Sequence, residues 1–198
     1  LWESDEWVLS SCFIHREKEV EQLVGSFSSH SEKLKTVWIT GEEGAGKSAL
    51  LRQFKWHLER DKRFVLNLDF RPASSHANLW RFLKYLHYMS PSEDLSASFK
   101  EEIHWITGEG EAAGFDQPDP ASIFARLSDY AVQAIKGQAE VIVLIDDWDS
   151  ANDFEKDFFK YLFRKLNLQS NTRIFFGITA LNADDPVIQS VPNSTHLP

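Results

Sequence analysis

Residues Gly41 to Ser48 read Gly-Glu-Glu-Gly-Ala-Gly-Lys-Ser, a complete G-x-x-x-x-G-K-[ST] pattern, and its flanks decide what it can be. Before it, Thr36-Val37-Trp38-Ile39-Thr40 is short, β-branched and apolar, which predicts a buried strand. After it, Lys47 to about Arg60 carries good helix formers with apolar residues at helical spacing. Strand, glycine turn and helix start together separate a phosphate-binding loop from a glycine turn that merely ends one element. Glycines reach backbone dihedrals closed to other residues. The N–H groups of Gly41, Glu42, Glu43, Gly44, Ala45, Gly46, Lys47, Ser48 and Ala49 can therefore converge on a polyphosphate. The new helix adds the positive end of its dipole. Lys47 is expected to reach the β- and γ-phosphates, and the Ser48 hydroxyl to ligate Mg²⁺.

The remaining periodicities frame that loop. Arg16 to Val24 predicts a helix that Gly25 and the serines at 26, 28 and 29 bring to an end. Strands are predicted over 64–70, 141–147 and 172–179, and helices over 78–89, 92–106, 121–136 and 154–166. A fifth strand begins near His196-Leu197. The glycine-rich, acidic stretch 108–118 reads as a loop. Strands that alternate with helices call for a parallel sheet covered on both faces. The fold class is thus α/β, three layers α/β/α with a mostly parallel central sheet, and the glycine loop makes it a P-loop NTPase. Residues 1–12 form a lead-in and 13–198 one domain, which a chain of 198 residues has the size to build.

Composition narrows the partners. The net charge of −9 argues against a nucleic-acid surface spread over the domain. Cys12 is the lone cysteine, fitting a reducing, cytoplasmic setting, and the seven histidines show no metal-ligand spacing with it. No apolar run approaches the roughly 18 to 20 residues of a membrane span. A start at Leu1 suggests a domain excised from a longer parent.

Polyphosphate chemistry needs a metal, and Mg²⁺ prefers carboxylate and water oxygens. Val141-Ile142-Val143-Leu144-Ile145-Asp146-Asp147 is apolar up to its two carboxylates, as a strand buried on both faces would be. Asp146 falls at the carboxyl end of that strand, where open α/β sheets present ligands, and is the expected second Mg²⁺ ligand. Asp147 is the candidate to orient or deprotonate an attacking water, with a side chain shorter than Glu and slow turnover to match. Asp149 either assists the metal or water, or begins the next helix. Thr179 ends the fourth strand and is placed to sense the γ-phosphate, with Asn182 as fallback.

The chain resembles the nucleotide-binding domain of STAND-type signalling ATPases, the AAA+-related group that includes NACHT and NB-ARC domains. Three segments carry the likeness: Cys12 to Leu23, similar to the family's entry motif; Gly41 to Ser48; and Val141 to Asp147, similar to its Walker B form. The resemblance implies that Ile14, His15 and Arg16 lie against adenine and ribose, with His15 in place of the usual Gly. It implies an ASCE or AAA+-like form of the P-loop NTPase fold, ATP and ADP as ligands with Mg²⁺, a lid and winged helix outside this chain, and self-association through this domain in a longer protein. In the place where NB-ARC proteins often carry an Arg after the fourth strand, this chain has Ala180-Leu181-Asn182. No Arg is placed by motif as a finger acting within the chain.

The expectation is an ATP-binding, slowly hydrolysing regulatory switch. Alternatives are an AAA+-like motor or loader on DNA or protein, a nucleotide-binding scaffold that never hydrolyses, and a small-molecule P-loop kinase. Salt-dependent DNA binding would favour the motor or loader.

Overall fold

The computed structural model describes residues 16–29, 33–70, 77–90, 120–169, 172–181 and 194–197. The expected helix over 92–106, the loop at 108–118, and Cys12, Ile14, His15 and Asn182 lie outside the described residues.

Helix α1 (Glu17–Ser29) leads into strand β1 (Leu34–Thr40) and, through the glycine loop, helix α2 (Lys47–Arg60). Strand β2 (Val65–Asp69), helices α3 (Ala77–Met89) and α4 (Pro120–Lys136) and strand β3 (Glu140–Asp146) follow. A 3₁₀ turn (Trp148–Ser150), helix α5 (Asp153–Gln169) and strands β4 (Arg173–Ala180) and β5 (Ser194–Leu197) complete the order. The five strands form one sheet, β2-β3-β4-β1-β5, with every neighbouring pair parallel.

The period-2 alternation of the strands splits the core in two. Val141, Val143 and Ile145 of β3, with Ile174, Phe176 and Ile178 of β4, pack under α3, α4 and α5. Ile142, Leu144 and Phe175 face the other way, against Leu23 and Phe27 of α1 and Leu50, Leu51 and Phe54 of α2. Both faces of β3 and β4 are covered, as their unbroken apolar runs require. Gly177 belongs to the α2 face, and a Cβ there would come within 2.9 Å of Leu144 Cδ2 and 3.5 Å of Leu51 Cδ1. Its missing side chain lets α2 lie close on the sheet.

Several boundaries differ from the sequence expectation. Helix α1 does not stop at Gly25 but runs to Ser29. Phe27, in that extra turn, is buried and sits edge-on to Phe175 at 5.3 Å. The guanidinium groups of Arg63 and Arg173 lie 5.0 and 4.9 Å from its ring centroid, and Arg173 also bonds the Phe27 carbonyl. Glu140 pairs with both arginines, so the helix end is held by tertiary contacts that outweigh the local breakers. Strand β3 ends at Asp146, not 147; β4 spans Arg173 to Ala180; β5 begins at Ser194. Asp149 does not begin a helix, because α5 starts at Asp153.

Helix α5 opens with a reciprocal cap. Asn152 Oδ1 accepts from the Glu155 amide at 2.9 Å, and Glu155 Oε2 accepts from the Asn152 amide at 3.4 Å. The other oxygen of the buried Glu155 takes the Leu79 amide in the first turn of α3 at 3.4 Å, so one carboxylate ties two helix starts together.

Candidate functional site

The loop between β1 and α2 has the backbone its glycines predict. Gly44 and Gly46 adopt φ of 79° and 83°, in the left-handed region, and Gly46 directly precedes the first helical residue. The first i to i−4 bond of α2 runs from the Leu50 amide to the Gly46 carbonyl at 2.9 Å. The amides of Lys47, Ser48 and Ala49 therefore have no acceptor inside the helix and point out of its positive end. Lys47 Nζ donates to the carbonyls of Gly41 at 2.7 Å and Glu42 at 2.9 Å, bridging the loop it belongs to. Ala45 N also donates to Glu42 O, at 3.2 Å.

The alternation of β3 and β4 delivers the other half of the site. Asp146 follows Ile142 and Leu144, and Thr179 follows Phe175 and Gly177, so both side chains emerge on the α2 face at the carboxyl edge. Strand β4 lies between β1 and β3, which puts Thr179 between the glycine loop and Asp146. Ser48 Oγ donates to Asp146 Oδ1 at 2.9 Å, and Thr179 Oγ1 donates to the same oxygen at 2.7 Å. Asp146 is 6% exposed and Thr179 1%. Thr179 Oγ1 in turn accepts from the Asp147 amide at 2.8 Å. The Thr179 hydroxyl proton goes to Asp146 and orients that carboxylate.

Beyond Asp146 the chain turns sharply. Asp147 has φ 62° and ψ 55°, left-handed for a non-glycine residue. Trp148 drops into the core, edge-on to Trp38 at 5.7 Å, which leaves Asp147 and Asp149 at the mouth of the cleft. Asp147 Oδ2 accepts from Ser150 Oγ at 2.9 Å.

The loop, the Asp147 turn and the end of β4 line a cleft of about 560 Å³; the buried Asp146 does not itself line it but is bonded by Ser48 and Thr179, which do. Of the expected residues, Glu43, Gly44, Gly46, Lys47, Ser48 and Ala49 face it from the loop, and Asp147 and Thr179 from the sheet edge. Gly41, Glu42 and Ala45 shape the loop through their backbone instead. Arg16 does not line it; at the start of α1 it lies 3.8 Å from Glu19. Arg52 does line the cleft, with Nε 3.3 Å from the Ser48 carbonyl, although no motif singled it out. Its place one helical turn after Ser48 was the available signal. Asp149, expected either to assist the metal or water or to begin a helix, also lines the cleft, as do Ser150 and Leu181, which were not assigned there from sequence.

The donor set suits a hard cation with phosphate. Among the described residues no three His, Cys, Asp or Glu side chains form an all-protein metal cage. Mg²⁺ asks for less, one or two carboxylates with waters and phosphate oxygens, and Ser48 and Asp146 are oxygen donors of that kind brought to 2.9 Å. Among the described residues no helix is long and apolar enough to cross a membrane.

Among solved structures the chain is similar to Cdc6p from Pyrobaculum aerophilum, with a TM-score of 0.53 and 15% identity over 92% of this chain and 45% of that one. It is also similar to the Orc1 protein of Aeropyrum pernix, solved in complex with DNA, with a TM-score of 0.49 and 17% identity over 93% and 45%. The likeness to Cdc6p is one of fold, and the chain spans less than half the length of either protein. No curated protein matches it. A family model described as the AAA ATPase domain matches residues 13–176, most of the chain, and with the parallel sheet and glycine-loop cleft this means that the protein belongs to the AAA ATPase domain family.

Proposed function

We propose that this domain binds ATP and ADP with Mg²⁺, hydrolyses ATP slowly, and serves as the regulatory switch module of a longer STAND-type signalling ATPase in the cytoplasm. The observation that carries the reading is the convergence of Ser48 and Thr179 on one oxygen of Asp146, at the open end of a loop with outward amides. In this reading the amides of Lys47 to Ala49 bind phosphate oxygens, and the Lys47 ammonium neutralises charge on the transferring group. Ser48 and Asp146 hold the metal, which when bound supplies charge neutralisation across the phosphates. Thr179 keeps Asp146 turned toward Ser48, and Asp147 positions the water. The family resemblance implies that Ile14 and His15 meet the base and ribose; Arg16, which does not line the cleft, lies beside Glu19 instead. Self-association would supply an arginine from a neighbouring copy.

One observation favours a second reading, a scaffold that binds nucleotide without cleaving it. One oxygen of the Asp147 carboxylate, Oδ2, already accepts from Ser150 Oγ, which leaves fewer acceptor positions for a water. Single-turnover hydrolysis of MgATP separates the two. The switch reading expects slow cleavage that falls in Asp147→Ala; a wild-type rate no higher than that variant's assigns the scaffold. Salt-sensitive binding of duplex DNA by the domain would move the reading to a loader or motor.

A further inference from the structure

The third carboxylate of the Asp146-Asp147-Trp148-Asp149 run has work of its own. Asp149 Oδ2 accepts the Leu181 amide at 2.6 Å, a short bond of the charge-assisted kind. Leu181 lies one residue beyond the end of β4, where the ladder no longer supplies an acceptor. The Leu181 carbonyl accepts the amide of Gly41, the first residue of the glycine loop, at 3.3 Å. On its other side Asp149 is tied down: its carbonyl takes Lys156 Nζ of α5 at 3.3 Å, and Trp148 beside it is fully buried. A chain of bonds therefore runs from the anchored turn after β3, through the exit of β4, to the start of the loop.

We propose that Asp149 is a positioning residue for the nucleotide cleft: its carboxylate stands in for a strand that has ended, and through Leu181 it holds the first residue of the phosphate loop in register with the turn that carries Asp147. Asp149 touches neither metal nor phosphate in this role. What it needs is an oxygen acceptor at that place, and its charge strengthens the bond without being required. The functional half rests on the nucleotide reading above; the latch itself does not.

Two substitutions in the full 198-residue chain test it. Asp149→Ala removes the acceptor, and Asp149→Asn keeps an oxygen while removing the charge. Amide exchange at Leu181 and Gly41 is followed without nucleotide, and MgADP affinity by calorimetry. Asp149→Ala is expected to speed exchange at Leu181 and weaken MgADP by about fivefold, with Asp149→Asn returning both to within about twofold of wild type. The proposal is overturned if Asp149→Ala leaves Leu181 exchange unchanged, or if Asp149→Asn binds as poorly as Asp149→Ala, since charge would then matter and not position. Should Asp149→Ala fail to fold, Asp149→Asn decides alone: wild-type protection of Leu181 with wild-type affinity supports the latch, and loss of either overturns it. A wild-type chain that binds no MgADP sinks the nucleotide reading instead, and the exchange contrast still judges the latch.

Discussion

Replacing Thr179 with Val exchanges its hydroxyl for a methyl of similar shape, so it isolates the hydroxyl that bonds Asp146. That oxygen donates to Asp146 at 2.7 Å and accepts from the Asp147 amide at 2.8 Å, in a residue 1% exposed. A hydrogen bond to a charged group contributes about 1.5–3 kcal/mol, and a stranded amide at the partly open Asp147 about 1 kcal/mol. Asp146 keeps its bond from Ser48, which moderates the loss. The expected destabilisation is about 2–4 kcal/mol, or a fall of roughly 5–12 °C in Tm for a domain this large. Thr179→Ser keeps the hydroxyl and loses only a methyl, at about 1 kcal/mol. Urea and thermal unfolding of the three proteins measure both costs. The same pair divides function: Thr179→Val should lose part of the Mg²⁺-dependent gain in ATP affinity, and Thr179→Ser should retain it. If Thr179→Val is as stable as Thr179→Ser, the hydroxyl does not join Asp146 to the Asp147 turn, and the reasoning fails.

Other perturbations follow from the same contacts. Glu155→Ala uncaps α3 and α5 together and is expected to cost about 2–3 kcal/mol in urea unfolding, with Asn152→Ala, which touches one helix, costing about 1 kcal/mol. Gly177→Ala places a methyl 2.9 Å from Leu144 Cδ2 and should destabilise by about 1–3 kcal/mol, read as a lower urea midpoint; an unchanged midpoint would mean that the Leu144 side chain gives way freely. Burial pushes the phenols of Tyr85 and Tyr130 up to about 12 from the ordinary 10.0. Because the folded state holds these protons more tightly than the unfolded chain, their contribution is complete below pH 10 and is lost as pH rises from 10 toward 12. Unfolding curves on either side of that window, with tyrosinate absorbance, check it; equal stability throughout would contradict the burial of both rings.

The parts of the site that are local in sequence were the legible ones. The glycine spacing with its flanking strand and helix located the loop, and an apolar run ending in Asp located Asp146, because burial on both faces of a central strand leaves a one-dimensional trace. Strand order leaves none. That β4 lies between β1 and β3, and so sets Thr179 between loop and carboxylate, is a matter of pairing between distant segments. The end of α1 was misplaced for a related reason: Gly25 and its serines are local breakers, while Phe27 is held by Phe175, Arg63 and Arg173 from the rest of the chain. Asp149 was read either as an aid to metal or water or as a helix start, because a carboxylate after a strand often caps one, and its partner, Leu181, is 32 positions away. The Asn152-x-x-Glu155 cap, by contrast, was there to be found.

The central claim is that the loop and Asp146 receive a nucleotide and Mg²⁺ together. Calorimetric titration of ATP with and without Mg²⁺ tests it most directly, in wild type, Lys47→Ala and Asp146→Asn. The account predicts that Lys47→Ala weakens MgATP at least about tenfold, and that Mg²⁺ tightens ATP binding in wild type but not in Asp146→Asn. Equal affinity in wild type and Lys47→Ala, or indifference of the wild type to Mg²⁺, would contradict it.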